Sequence, residues 1–290
     1  MPASISDDST NASAGQDIPD YYNETVADYD AWSPQGYLHF GYWRPWMNPF
    51  RRQPMLEEMN QLVFSKLGLS ELKGGNVLDL GCGVGAVARH GSRLFPDLDF
   101  HAMTLSKEQI ERGKSLHAAE RVEYYCGDYH KIPLPDGAAD RCYYLESLCH
   151  STRPEQALAE AARVVKPGGR IAMTDGYITR PLEQTSKLFQ HVVEGVAHNW
   201  AVPMFHEIEL AKNWNAGGKL QLVEEFECGW RLGPSALHAI HLSTLHFFKL
   251  LFQSGVKSWQ WKHLTASAYT VALGLYRKYF RYHVLVFERL

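Results

Sequence analysis

The chain has 290 residues and little charge imbalance, 29 Lys and Arg against 32 Asp and Glu, for a net −3. That sum offers no electrostatic footprint for a duplex or an anionic membrane, and no nucleic-acid partner is expected. Cysteine is scarce: Cys82, Cys126, Cys142, Cys149 and Cys228 are odd in number and form no C-x-x-C pair. They fit reduced thiols and no disulfide framework, which points to the cytoplasm. No apolar run reaches the roughly 18 to 20 residues that span a bilayer, so no transmembrane segment is expected. Residues 1–18 lack the basic start and apolar stretch of a secretory leader and read as a disordered polar tail. No G-x-S-x-G elbow presents a nucleophilic serine. The histidines point to no metal: His191 and His198 lack metalloprotease spacing, and His238, His241 and His246 have no supporting carboxylates.

What the chain has in excess is rings. Aromatic residues make up 12% of it, crowded between Tyr21 and Phe50 and again beyond residue 184. Core packing alone does not require that distribution, so the rings are a clue to the ligand. A hydrophobic content of 45% is enough for a large core. Helical character begins near residue 19, and Pro34, Gly36, Pro45 and Pro49 break it into an aromatic loop. A helix of apolar period is expected at about 55–67.

From Val77 short apolar runs alternate with amphipathic stretches, the pattern of βα units around a parallel sheet covered on both faces. Strands are expected at about 76–80, 99–103, 121–126, 140–145, 169–174, 219–228 and 282–288. Helices are expected at about 84–94, 106–119, 154–164, 182–197, 204–214, 235–252 and 258–277. The boundaries divide the chain into a tail (1–18), a helical and aromatic cover (19–70) and a main α/β domain (71–290), with a helical insertion before the last strand. Acceptor-pocket helices are placed within 180–280.

The sharpest motif is Val77-Leu78-Asp79-Leu80-Gly81-Cys82-Gly83-Val84-Gly85, an apolar strand running into a glycine turn that opens a helix. Such a turn lets backbone approach a ligand near a helix N-terminus. Residue 86 is Ala, so the dinucleotide spacing G-x-G-x-x-G is not met and no pyrophosphate loop is implied. The acid followed by G-C-G-x-G instead resembles motif I of the class I S-adenosylmethionine-dependent methyltransferases. That resemblance implies a Rossmann-like fold with a seven-stranded, mostly parallel sheet. It also implies S-adenosylmethionine as cofactor and S-adenosylhomocysteine as product, with Asp79 facing the methionine ammonium and Gly81, Gly83 and Gly85 passing beneath it.

Met103-Thr104-Leu105-Ser106-Lys107-Glu108-Gln109 has no acid at the second strand's tip for ribose hydroxyls. It resembles the T-L-S-x-x-Q of the cyclopropane-fatty-acid synthase and tocopherol methyltransferase branch, which implies that Thr104, Leu105, Ser106 and Gln109 serve the ribose. Ser106 as an N-cap with Gln109 completing a capping box is compatible with that role. Cys126-Gly127-Asp128-Tyr129 resembles the family's adenine site, implying contacts from Gly127, Asp128 and Tyr129; an ordinary Asp turn is the competing reading.

Tyr144-Leu145-Glu146-Ser147-Leu148-Cys149-His150 contains E-x-x-C-H, which resembles sterol 24-C-methyltransferases. Leu145 falls at the cofactor side, and Glu146 and His150 are the candidate proton acceptors. Glu146 contacting cofactor or cover without moving a proton stays open. The ring-rich segment around Tyr21-Tyr22-Asn23 and His39-Phe40-Gly41-Tyr42-Trp43 resembles the same branch. The likeness implies that Tyr37 touches the cofactor carboxylate, and Tyr21, Tyr22 and Trp200 are candidate acceptor contacts.

The expected activity is methylation of a hydrophobic small molecule, foremost C-methylation of an isoprenoid or terpenoid-like acceptor through a carbocation, with or without cyclisation. N- or O-methylation of a specialised metabolite is the first alternative, and a cofactor-binding cyclase that moves no methyl is the second. Mg²⁺ enters only if the acceptor is a diphosphate, and a homo-oligomer through the N-terminal segment stays open.

Overall fold

The computed structural model describes residues 32–116, 121–200, 202–253 and 258–290. The tail, the first expected helix, Tyr21 and Tyr22 lie outside the described residues. The loop 32–51 leads into α1 (Arg52–Leu67), which buries Met55, Leu56, Met59, Leu62, Val63 and Leu67. Gly68 ends it in the left-handed region at φ 67°, a conformation that side-chain-bearing residues resist.

Seven strands form one sheet: β1 (Gly75–Leu80), β2 (Leu98–Thr104), β3 (Val122–Cys126), β4 (Ala139–Leu145), β5 (Val165–Ile178), β6 (Leu220–Glu227) and β7 (Phe280–Arg289). Their order is β3-β2-β1-β4-β5-β7-β6. The first five are parallel, while β7 runs antiparallel between β5 and β6. Between them lie α2 (Ala86–Leu94), α3 (Lys107–Leu116), α4 (Pro154–Val164), α5 (Lys187–Asn199), α6 (Ile208–Lys212), α7 (Gly233–Gln253) and α8 (Ser258–Leu275).

The two-residue period of the strands sorts their side chains to opposite faces. Val77, Phe100, Tyr143, Ala172, Val284 and Val286 pack with α1 and α2 on one face. Leu78, Cys142, Tyr144, Ile171, Met173, Leu285 and Phe287 pack with α4 and α6 on the other. Both faces are therefore buried, as a parallel sheet requires. A third apolar cluster joins α5 to α8 through Phe189, Val192, Val193, Val196 and Leu273.

Three boundaries differ from the sequence reading. The expected helix at 182–197 is split: a 3-10 turn occupies Leu182–Gln184, and α5 starts only after Ser186, whose side chain accepts the Phe189 N–H. The helix expected at 204–214 contracts to Ile208–Lys212, because Glu207 bridges Ile178 and His206 accepts the Ile178 N–H at 3.0 Å. That pairing holds the preceding residues extended. β5 begins at Val165 instead of 169, continuing through Gly168 at φ 74° with a register shift against β4.

Candidate active site

The carboxyl ends of β1, β2 and β4 open onto a cavity with roughly 880 Å³ of space free of protein atoms, part of it continuous with solvent. This is where open α/β sheets place ligands, at the reversal of strand order between β1 and β4. Asp79, Gly81, Gly83, Thr104, Leu105, Ser106, Gln109, Gly127, Tyr129 and Leu145 line it, together with Glu146 and His150.

Residues on the glycine turn fold sharply. Gly81 has φ 83°, and both Gly81 and Cys82 donate their N–H groups to Met103 O at 2.9 Å, pinning the turn to β2. A Cβ on Gly81 would collide with Ser147. Arg89, nearly fully buried, reaches back from α2 to Val84 O, to Gln35 O at 2.8 Å and to the Tyr124 hydroxyl at 3.1 Å. One guanidinium thus joins the glycine turn to the N-terminal loop, which contributes Gly36, Leu38 and His39 to the cavity wall.

Asp79 is buried at the end of β1, and its Oδ2 has no hydrogen-bond partner. Burial pushes its carboxyl up to about 7, opposed by hydrogen bonding from Tyr143 and the Ala88 backbone. A buried carboxylate on a cavity wall is costly unless a cation meets it. At the β2 tip, Ser106 Oγ accepts the Gln109 N–H at 3.1 Å, the N-cap half of the capping box. Gln109 Oε1 accepts from Thr104 Oγ1 at 2.7 Å. The carboxamide is held by that bond, with Nε2 beside the glycine turn near Gly83.

Tyr129 stands edge-on to Tyr144 and donates to Ser147 O at 3.2 Å. Three expected contacts are not among the residues that line the cavity. Tyr37 is buried against His39 and His90. Gly85, at φ 73°, caps α2 against Tyr124. Asp128 turns to His130, whose N–H and Nδ1 meet Oδ1 at 2.8 and 2.6 Å; despite some burial, these contacts hold its carboxyl low.

Glu146 closes the other side. Its φ of 50° is unusual for a residue with a side chain, a strain of about 1–3 kcal/mol that the surroundings must hold. Its N–H donates to Thr174 O at 2.9 Å, while Oε1 accepts the Phe40 N–H at 2.9 Å and the Tyr282 hydroxyl at 2.7 Å. Burial raises its carboxyl to about 8, against those two hydrogen bonds and with help from nearby Asp175. Phe40 in turn stacks on Trp200, with centroids 5.6 Å apart, and meets Trp32 edge-on at 6.0 Å. Trp200 therefore reaches the site through Phe40 and does not line the cavity.

Sequence reasoning passed over His39, Ser147, Asp175 and Tyr282. His39 is buried on the wall; Nδ1 lies 2.9 Å from Phe40 O, and burial lowers its pKa to about 4 against hydrogen bonding with Phe40 and Asn60. It is neutral at physiological pH. Asp175 is buried, raised to about 7 by that burial, and accepts the Cys149 N–H at 3.2 Å. Tyr282 comes from β7, opposite Gly176, a pairing of distant segments that no local motif announces.

A model of a methyltransferase domain matches residues 78–173. An O-methyltransferase of Aspergillus nomiae is 30% identical over 165 residues, covering 55% of this chain and 69% of that protein. The chain belongs to the class I S-adenosylmethionine-dependent methyltransferases.

Other relatives of this chain are an O-methyltransferase of Penicillium expansum, 31% identical over 55% of this chain, and a sterol 24-C-methyltransferase of Yarrowia lipolytica, 27% identical over 66%. The matches span 58% and 49% of those two proteins. Among solved structures, a cyclopropane synthase of Mycobacterium tuberculosis shares the fold with a TM-score of 0.77 at 16% identity, covering 96% of this chain and 100% of that one. A geranyl diphosphate C-methyltransferase of Streptomyces coelicolor gives 0.65 at 17% identity, covering 94% and 96%.

The cofactor of this family fits the residues of the site. Asp79 lines the cavity with a buried carboxyl whose charge an ammonium would compensate, and the glycine turn leaves room for backbone contact. Among the described residues, no group of His, Cys, Asp or Glu is arranged to hold a metal ion, and no helix is long and apolar enough to cross a membrane.

Proposed function

We propose that the protein transfers the methyl group of S-adenosylmethionine to a carbon of a hydrophobic, isoprenoid-like small molecule, with Glu146 as proton acceptor. The observation that carries the reading is Glu146 itself, a buried carboxyl poised at about 8 on the wall of the cofactor cavity, its Oε1 held by the Phe40 N–H and the Tyr282 hydroxyl.

Bound S-adenosylmethionine supplies an electrophilic methyl on a sulfonium with its own leaving group. Asp79 would hold the ammonium, Thr104 and Gln109 the ribose, and Gly127 and Tyr129 the base. Leu145 and the N-terminal loop exclude water, so that a bound acceptor meets the methyl in line. Methylation of an alkene carbon leaves a carbocation on the acceptor, and aromatic faces stabilise a cation by roughly 0.5–2 kcal/mol per ring. Both hydrogen bonds to Glu146 use Oε1, which leaves Oε2 to take the proton lost from that cation. His150, on the wall one 3-10 turn onward, would orient the acceptor.

Relatives named as O-methyltransferases favour a second reading, transfer to a hydroxyl that Glu146 deprotonates. Arg44, Arg51 and Arg52 provide no ready diphosphate clamp: Arg44 is paired with Glu58 and Arg52 lies over Trp32 at 4.8 Å. Incubation with methyl-labelled S-adenosylmethionine and a set of prenyl alcohols, prenyl diphosphates, sterols and prenylated indoles separates the readings. Label on carbon is expected; label confined to oxygen or nitrogen overturns the carbon assignment.

A further inference from the structure

The net charge of −3 conceals a division. Residues 31–56 and 228–287 together hold ten Lys and Arg and no Asp or Glu, so the remainder of the chain carries −13. These segments also supply the largest exposed rings. Trp46 is 76% exposed, Phe50 85% and Trp230 55%.

They meet in one place. Trp43 N–H donates to Arg231 O at 2.9 Å, its ring lies 5.2 Å from Trp230, and His238 Nε2 is 2.8 Å from Pro49 O. Guanidiniums are interleaved with the rings: Arg44 sits 5.5 Å from Trp46 and 5.4 Å from Tyr42, and Arg231 sits 5.6 Å from Tyr42 and 5.9 Å from Trp230. From this platform α7 carries the exposed Leu237, Leu245 and Phe248 outward. At 100° per residue these fall in one stripe, about 17 Å long.

We propose that this face docks on an anionic phospholipid surface, the rings and leucines entering the interface and Arg51 and Arg231 meeting phosphates, Arg44 being paired with Glu58. Exposed Trp and Phe beside cations suit the boundary between headgroup and acyl chain. The acid-free segments remove the repulsion that a negative surface would otherwise meet. Nucleic acid would use the rings and arginines but not the aliphatic stripe along α7; lipid uses all of them. The docking does not depend on the reaction assigned above, although an apolar acceptor dissolves in the same phase.

The test is sedimentation of the full chain with vesicles of phosphatidylcholine alone or with about 30% phosphatidylserine. Binding is expected to the anionic vesicles, at least ~10-fold above the neutral ones, and to fall as salt is raised. The double variant Trp46→Ser/Phe50→Ser, both side chains being exposed, is expected to keep the wild-type melting temperature and lose binding about 10-fold. Leu237→Ser/Leu245→Ser on α7 provides an independent second variant with the same expectation. Equal partition to neutral and anionic vesicles overturns the proposal, as does undiminished binding by both variants. So does the absence of vesicle binding, whether the chain then dimerises through this face or captures a single-stranded oligonucleotide.

Discussion

At Glu146 three pressures meet: a left-handed backbone, burial that resists ionisation, and hydrogen bonds from Phe40 and Tyr282 that favour the charge. Burial wins and the group rests near 8. A base must be ionised to act, so kcat is expected to rise with pH through about 8. Glu146→Gln keeps the shape and removes the acceptor; kcat should fall about 10²–10⁴-fold and the pH rise should vanish. A loss confined to KM, with the pH profile intact, would make Glu146 a binding group. Tyr282→Phe removes a donor to the carboxylate, so the midpoint of the profile should move upward.

At the scale of elements, the glycine turn and α2 depend on packing as much as on backbone freedom. A Cβ on Gly85 would lie 2.6 Å from the Tyr124 ring, at a φ that already disfavours one. Gly85→Ala is therefore expected to cost about 2–4 kcal/mol in denaturant unfolding. Arg89→Met should cost about 2–3 kcal/mol, since it takes the guanidinium donor from Gln35 O and leaves Val84 O only the Tyr124 hydroxyl at 3.3 Å. It should also weaken cofactor binding, because the N-terminal loop loses its tie to the turn. An unchanged affinity would show that the loop holds its place without Arg89.

Elements were legible where period or punctuation was strong. α4 is found at its expected limits, and the seven strands fall within a few residues of theirs. Where tertiary pairing decided, the sequence said little: the Ile178–Glu207 bridge shortened α6, and no local pattern announces it. The site divides in the same way. Asp79, Gln109 and Glu146 stand at strand or helix ends that motifs mark. His39 lies within the aromatic motif, and only the folded chain brings it, buried, to the cavity wall. Asp175 and Tyr282 come from β5 and β7, whose register brings their side chains beside Glu146.

Across the whole molecule, three buried carboxyls share one end of the sheet: Asp79 and Asp175 at about 7 and Glu146 at about 8. Each is raised by folding, so the folded state favours the protonated form. The stability this contributes is complete below the ordinary carboxyl range and is lost as pH rises through 7 to 8. The melting temperature without cofactor should therefore fall as pH rises from about 4 to about 8 and level off above that, and Asp79→Asn should flatten the fall. A melting temperature that is level or rising across the window would contradict the burial argument. The same cluster explains why a cationic cofactor should stabilise more at high pH, where Asp79 is ionised and most in need of a partner.

The account rests on Asp79 meeting an ammonium in the cavity at the strand ends. Calorimetric titration of S-adenosylhomocysteine into the wild type and Asp79→Asn, in buffers of differing ionisation enthalpy between pH 6 and 8.5, tests this directly. The wild type should bind with proton release below pH 7 and more tightly as pH rises, because the carboxyl at about 7 ionises on binding. Asp79→Asn should bind about 10–100-fold more weakly with no proton release from this group. Equal affinity and equal proton release in the two proteins would contradict the assignment.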